Sequence, residues 1–104
     1  MTIRNGVALA VLLAAAAGTS FAQAGADTYK AKCQMCHGAA GMADSPAGKS
    51  MKVKPVTDPS VKGMDEAKMV AAVKNGMGKM QPYAGKLTDA QINDAVKYFR
   101  SFIK

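Results

Sequence analysis

Both cysteines and the only histidine of this 104-residue chain lie within five consecutive residues, Cys33-Gln34-Met35-Cys36-His37. We call residues 33–37 the attachment segment. Two thiols three residues apart fall on the same side of a helical turn, and the next residue can direct an imidazole toward the same region. Because all thiol and imidazole chemistry of the chain is concentrated here, this segment constrains the fold more than any other feature of the sequence.

The arrangement Cys-x-x-Cys-His is typical of covalent haem c attachment. In such a site the two thiols add to the haem vinyl groups, and the adjacent imidazole ligates the iron. The sequence therefore predicts one haem c, bound covalently through Cys33 and Cys36, with His37 as an iron ligand.

Three other interpretations of the cysteine pair are weaker. A thioredoxin-like redox pair belongs to a βαβ fold, and the sequence shows no convincing strand with period-two alternation. A structural zinc site needs four ligands, whereas the cysteines and the histidine supply three. A disulfide across two intervening residues closes too short a loop to stabilise a small domain much.

Residues 1–24 have the pattern of a cleaved secretion signal. Arg4 provides a positive start, residues 7–17 form an apolar run, and Ala22-Gln23-Ala24 is a small-x-small cleavage site. The run is too short to span a bilayer, although an uncleaved anchor remains the alternative. We expect cleavage after Ala24, one domain at residues 25–104, a periplasmic location and no stable insertion in a membrane.

The expected mature chain contains few strong core-forming residues. Its valine, leucine, isoleucine and phenylalanine content is about 14%, and values below roughly 20% with a high net charge ordinarily predict disorder. Chains of this size usually need a disulfide, a metal or a cofactor to complete a core. The composition therefore also favours a large bound group. The core candidates are Val53, Val56, Val61, Val70, Val73, Leu87, Ile92, Val96, Phe99, Phe102 and Ile103.

The pattern predicts an all-α fold with three to four short helices wrapped around one haem. A first helix is expected over residues 27–35 and delivers the attachment segment. Residues 38–63 are interrupted repeatedly by glycine and proline, so we expect a wrapping loop with one helical turn at Asp58-Pro59.

Two further helices have clear start and stop signals. Asp65 and Glu66 begin one that ends at Asn75-Gly76, since acidic residues suit the positive end of a helix. The last helix is the best signalled, because Thr88 and Gln91 match a capping box and apolar residues then recur at helical spacing. We expect this last helix to pack on the first.

The sixth iron position cannot hold a second histidine or a cysteine thiolate, since His37 is the only imidazole and both thiols would be thioethers. Methionine, lysine, tyrosine, water or an open position remain. Met80 is our choice because it lies in residues 76–83, the methionine loop, where glycines permit close approach to a flat ring and a proline stiffens the exit. Met77 lies in the same loop and is the rival ligand.

These features together resemble a known family. The attachment segment near the mature start, Asn75-Gly76-Met77-Gly78-Lys79-Met80 before the last helix, and Lys97-Tyr98-Phe99 within it are similar to small bacterial monohaem class I cytochromes c. The resemblance covers nearly all of residues 25–104. It implies a cytochrome c fold, a hydrophobic haem crevice and a role as a soluble electron carrier.

The resemblance also implies roles for individual residues. An axial methionine that follows a glycine-rich turn before the last helix corresponds to Met80. A crossing of the first and last helices through a glycine and aromatic residues corresponds to Gly25, Tyr29 and Tyr98. Pro46 corresponds to the proline whose carbonyl accepts the proton of the imidazole ligand.

The expected chemistry is electron transfer rather than catalysis. Low-spin iron that keeps His37 and Met80 as ligands in both oxidation states needs little structural reorganisation when an electron is transferred. Thioether ligation and burial of the haem in an apolar crevice both raise the reduction potential. No Ser/His pair, phosphate loop or carboxylate pair points to an enzyme. If the sixth position were open, a gas-binding sensor or a peroxidase-like protein would be the alternative, although a peroxidase would want a second histidine.

The chain carries 14 Lys+Arg against 7 Asp+Glu, a net charge of +7. Lysines around the haem edge would steer an acidic redox partner protein, whereas a solvated lysine surface that only aids solubility explains the composition equally well. Dispersed lysines without interleaved aromatic residues argue against nucleic-acid binding. We expect the protein to be a monomer. The lysines concerned are Lys49, Lys52, Lys54, Lys74, Lys79 and Lys86.

Overall fold

A computed structural model describes residues 21–104. The predicted secretion signal lies outside the described residues except for residues 21–24, which form the first turn of a helix. None of the described helices is long and apolar enough to cross a membrane.

Six helical segments occur in the described part of the chain. They are α1 Phe21–Lys32, α2 Gln34–His37, α3 Pro46–Ser50, α4 Pro59–Lys62, α5 Glu66–Asn75 and α6 Asp89–Arg100. Three of them are single turns. No strand occurs between residues 21 and 104, where only isolated bridges join Met77 to Met80 and Ala84 to Leu87. The prediction of an all-α fold is confirmed.

The first helix differs from its predicted bounds at both ends. It begins at Phe21 rather than at Asp27, since the residues from 22 to 26 include three alanines that favour a helix. It ends at Lys32 because Cys33, with φ −115°, departs from helical geometry before α2 resumes the turn. The attachment segment therefore follows a break in the helix instead of continuing it.

The other helix starts follow the capping chemistry of the sequence. Asp58 accepts a hydrogen bond from the Ser60 amide at the start of α4, and Asp65 caps α5 in the same way. Thr88 forms the predicted capping box of α6. The short helix α3 was not predicted, although Ser45 followed by Pro46 is the same signal as at α4.

Helices α1 and α6 cross where Gly25 is buried. A Cβ atom at Gly25 would collide with the backbone carbonyl of Asp94 and approach Cβ of Tyr98 to 3.4 Å, so only glycine allows this approach. One turn later, Tyr29 is buried against Tyr98, with ring centroids 5.3 Å apart. The predicted packing of the first helix on the last is confirmed by these contacts.

A small core lies between α5, α6 and the segment that joins them. Met69, Leu87, Ile92 and Val96 form it. Met69 thus serves as core packing on the inner side of α5. Of the eleven core candidates, Val56, Leu87, Ile92 and Val96 are buried, and the other seven are half-buried.

Candidate functional site

The attachment segment is held in one helical turn by its own backbone. The amides of Cys36 and His37 both donate to the Cys33 carbonyl, at 3.2 and 3.0 Å, and the Gly38 amide donates to Gln34. Both thiols are free and half-buried, so they are not joined in a disulfide. Burial raises the pKa of the Cys33 thiol to about 11, with a smaller contribution from Cys36.

The His37 imidazole is oriented by the protein but lacks a hydrogen-bond partner at Nδ1. The ring lies edge-on to Phe99, with centroids 5.2 Å apart, and Nδ1 is buried without a partner. Burial lowers the pKa of His37, because a charged ring loses its hydration there. The neutral form is the one that ligates a metal.

The expected hydrogen bond from His37 to the Pro46 carbonyl is not formed. Nδ1 has no acceptor, and Pro46 is instead the first residue of α3, which packs beside α2. Proline suits this position because the first helical residue needs no amide donor. The hydrogen bond to Pro46 that the resemblance implied is therefore wrong for this structure, although Pro46 does lie in the helix that packs beside the attachment segment.

Helix α3 packs on the attachment segment through Ser45 and Gly48. Ser45 Oγ donates to the Met35 carbonyl at 2.5 Å and accepts from the Gly48 amide at 3.0 Å. A Cβ atom at Gly48 would collide with the carbonyl of Cys36. These contacts fix the outer side of the turn and were not identified from the sequence.

Tyr29 supports the same turn from the inside. Its hydroxyl group donates to the Gly38 carbonyl at 2.5 Å. Burial and the nearby Cys33 raise the pKa of Tyr29 well above its ordinary value, so the hydroxyl stays protonated and able to donate. The helix crossing and the attachment segment are thus connected through one side chain.

The methionine loop is closed by a reciprocal pair of backbone hydrogen bonds. Met77 donates to Met80 at 3.1 Å, and Met80 donates back at 2.9 Å. Gly78, at the tip, has φ +57°. The two methionines differ in exposure, because the Met77 side chain is 57% exposed whereas Met80 is half-buried.

Gly76 connects α5 to this loop and packs closely against the loop backbone. It has φ +82°, a conformation that suits glycine, and a Cβ atom there would lie 2.9 Å from the Met80 carbonyl oxygen and 3.1 Å from the Pro82 nitrogen. The end of α5 therefore packs directly on the backbone of Met80.

Tyr83 connects the methionine loop to the attachment segment. Its amide donates to the Val73 carbonyl at 2.9 Å, and its hydroxyl group donates to the Lys32 carbonyl at 3.2 Å. Lys32 directly precedes Cys33 in the chain. The sequence pattern did not single out Tyr83, because a tyrosine after a loop proline carries no motif of its own.

Five of the six lysines expected near the haem edge are exposed. Lys74 is the exception, since it is half-buried and its ammonium group lies 3.3 Å from the Asp89 carboxylate. The exposed members are Lys49, Lys52, Lys54, Lys79 and Lys86.

The chemistry of these residues fits a haem. An imidazole held edge-on to Phe99 and preceded in the same turn by two free thiols is the donor set that covalent haem attachment requires. Within residues 21–104 no three His, Cys, Asp or Glu side chains gather into a group that could hold a metal ion.

An all-α fold whose first and last helices cross beside a Cys-x-x-Cys-His turn defines the c-type cytochrome class. The family model described as "Cytochrome C oxidase, cbb3-type, subunit III" matches residues 20–99, which is most of the chain. The chain belongs to this cytochrome c family and is a small monohaem class I cytochrome c. C-type cytochromes bind their haem covalently and are typically electron carriers.

A solved structure supports the fold. The KustC0563 c-type cytochrome superposes with a TM-score of 0.69 at 23% sequence identity, covering 77% of this chain and 98% of that one. No curated protein sequence matches this chain significantly.

Proposed function

We propose that this protein is an exported, monomeric carrier of single electrons with one haem c. Cys33 and Cys36 would form the thioether links, and His37 and Met80 would ligate the iron. The observation that carries the proposal is the half-buried imidazole of His37, which lies edge-on to Phe99 and directly follows two free thiols in one turn. When bound, the haem supplies an iron that changes between the ferric and ferrous states.

The residues of the chain would hold this group in a fixed environment. The low pKa of His37 keeps its ring neutral and able to ligate. Its contact with Phe99 limits ring rotation. Because the attachment turn is supported by Tyr29 on one side and Ser45 on the other, it needs little rearrangement when the charge of the site changes.

Met80 is favoured over Met77 as the second ligand by exposure and by anchoring. Met77 points largely into solvent, whereas Met80 is half-buried and its backbone packs against Gly76. A thioether held at a fixed place stabilises ferrous iron and excludes water from the site. Retention of both ligands favours fast transfer of electrons and disfavours binding of small gases.

Optical spectra of the purified protein in both oxidation states test this assignment. We expect low-spin spectra and a weak far-red charge-transfer band in the ferric protein, which Met80→Ala abolishes and Met77→Ala leaves in place. The opposite result for the two variants would assign Met77 as the ligand. High-spin iron that binds carbon monoxide without any mutation would establish the open-site alternative and overturn the carrier proposal.

We further propose that the partner is a redox protein with an acidic docking surface. The support is the net charge of +7 and the five exposed lysines described above. The bimolecular electron-transfer rate with an acidic redox protein should fall as salt increases. Lys79→Gln, in the methionine loop, should lower this rate more than Lys97→Gln on α6. Equal effects of the two substitutions would indicate that the lysines only aid solubility.

We also propose export to the periplasm, which the signal pattern of residues 1–24 supports, and covalent loading with one haem, which the Cys-x-x-Cys-His turn supports. Intact mass of the purified protein tests both points at once. A mass equal to residues 25–104 plus one haem is expected, and an unprocessed mass recovered from membranes would establish the uncleaved anchor instead.

A further inference from the structure

The backbone of Tyr83 is fixed on both sides. Its amide donates to Val73 at the end of α5, and its carbonyl accepts from the amides of Lys86 and Leu87, both at 3.0 Å. The ring packs against the buried cluster that contains Leu87 and Ile92. Tyr83 is therefore a rigid point that lies three residues after Met80.

The hydroxyl group of Tyr83 reaches a different part of the molecule. It donates to the carbonyl of Lys32, the last residue of α1, across 51 positions of sequence. The next residue is Cys33. One hydrogen bond thus connects the loop that carries one expected ligand to the start of the segment that carries the other.

Lys86 makes two contacts that restrict the Tyr83 ring and the residues around it. Lys86 Nζ donates to Gln81 Oε1 at 2.9 Å and lies 5.9 Å from the centre of the Tyr83 ring. This cation–π geometry further restricts the ring. The chain from Gln81 to Lys86 is consequently closed over Tyr83, and motion of Met80 away from the attachment segment would pull on the Tyr83 hydroxyl bond.

We propose that Tyr83 is a positioning residue for the Met80 ligand, because its hydroxyl group holds the methionine loop closed against the end of α1. This inference rests on the proposed function. An external ligand can bind the iron only while the loop is open, so its apparent affinity is proportional to the open fraction. Loss of one neutral hydrogen bond of about 0.5–1 kcal/mol should raise that fraction about two- to fivefold.

The test is a titration of the ferric holoprotein with imidazole, followed by loss of the far-red methionine band. Tyr83→Phe should lower the apparent Kd for imidazole about two- to fivefold. Tyr98→Phe is the matched control, since Tyr98 is also a half-buried tyrosine and lies on α6 away from the loop. Its Kd should equal that of the parent protein.

The possible failures are distinguishable. If the parent ferric protein has no methionine band, the proposed ligation is wrong and Tyr83 has no ligand to position. If the band is present and Tyr83→Phe binds imidazole with parental affinity, the positioning role is overturned while the carrier function stands. An equal gain of affinity in Tyr98→Phe would also overturn it, because the effect would then be general loosening of the fold.

Discussion

The two sides of the candidate haem site are built in different ways. His37 belongs to a five-residue segment that contains both thiols, and its turn is supported by the side chains of Tyr29 and Ser45. Met80 lies in a loop fixed by backbone hydrogen bonds to Met77, by close packing at Gly76 and by the single side chain of Tyr83. The histidine side is therefore a property of local sequence, whereas the methionine side depends on contacts between distant parts of the chain.

This difference predicts unequal sensitivity to mutation. Changes on the histidine side should alter haem attachment or overall stability, since the turn is part of the helix crossing. Changes on the methionine side should mainly alter ligand exchange at the iron and have a smaller effect on the free energy of global unfolding. The reason is that loops with few buried contacts open at lower free energy than the core.

The largest effect is expected from removal of both thiols. Cys33→Ser combined with Cys36→Ser should abolish covalent haem binding completely, because no other cysteine can form a thioether. Intact mass under denaturing conditions is the measurement. Met35→Leu is the matched control, since Met35 lies between the cysteines with its side chain 76% exposed, and it should retain the haem. A haem retained by the double variant would contradict the assigned attachment.

A large loss of stability is expected at the helix crossing. Gly25→Ala should destabilise the holoprotein by about 1–3 kcal/mol, because the added Cβ meets the backbone of Asp94 and the helices must separate. Alanine is otherwise preferred to glycine inside a helix by about 1 kcal/mol, so the expected change in unfolding free energy has the opposite sign to the one that helix propensity predicts. Urea unfolding followed by circular dichroism measures the change.

The exposed Ala31 provides the control for that experiment, since it lies on the same helix. Ala31→Gly should cost about 1 kcal/mol through propensity alone. Stabilisation by Gly25→Ala would show that the crossing is looser than the structure indicates.

A pair of glycine substitutions separates backbone strain from packing on the methionine side. Gly76 and Gly85 have nearly identical positive φ angles of +82° and +83°, so alanine should be strained at each, at a cost of about 1–3 kcal/mol. Only Gly76 has neighbours that a Cβ would crowd, namely the Met80 carbonyl and Pro82. We expect Gly76→Ala alone to weaken the ferric methionine band and to increase imidazole affinity. Equal spectra for the two variants would argue against direct packing on the ligand loop.

The smallest effect is expected at Ser45. Ser45→Ala removes the α3 cap and the bond to the Met35 carbonyl, at a cost of about 1 kcal/mol. Because this contact supports only the histidine side, imidazole affinity should not change. Ser50→Ala, at the exposed end of the same helix, is the control for urea unfolding. An altered imidazole affinity in Ser45→Ala would show that the two sides are coupled.

Local chemistry explains why several elements were predictable. The starts of α4, α5 and α6 follow from Asp58, Asp65 and Thr88, whose side-chain oxygens accept from amides two or three residues later. Such bonds depend only on neighbours in sequence. The part of α1 before Asp27 was missed because the residues up to Ala24 match a secretion signal and Asp27 matches a helix start.

The sequence by itself determined the all-α class, and it singled out the attachment segment and two methionines as candidate haem-binding residues, because each depends on residue type and short spacing. Only the tertiary structure decided which methionine is sheltered, why Gly25 and Gly76 must lack a side chain, and that Tyr83 reaches Lys32. Those features arise from groups that are separated by many residues in the sequence and that packing brings within a few ångströms of each other. Sequence patterns over a few residues carry no information about such contacts.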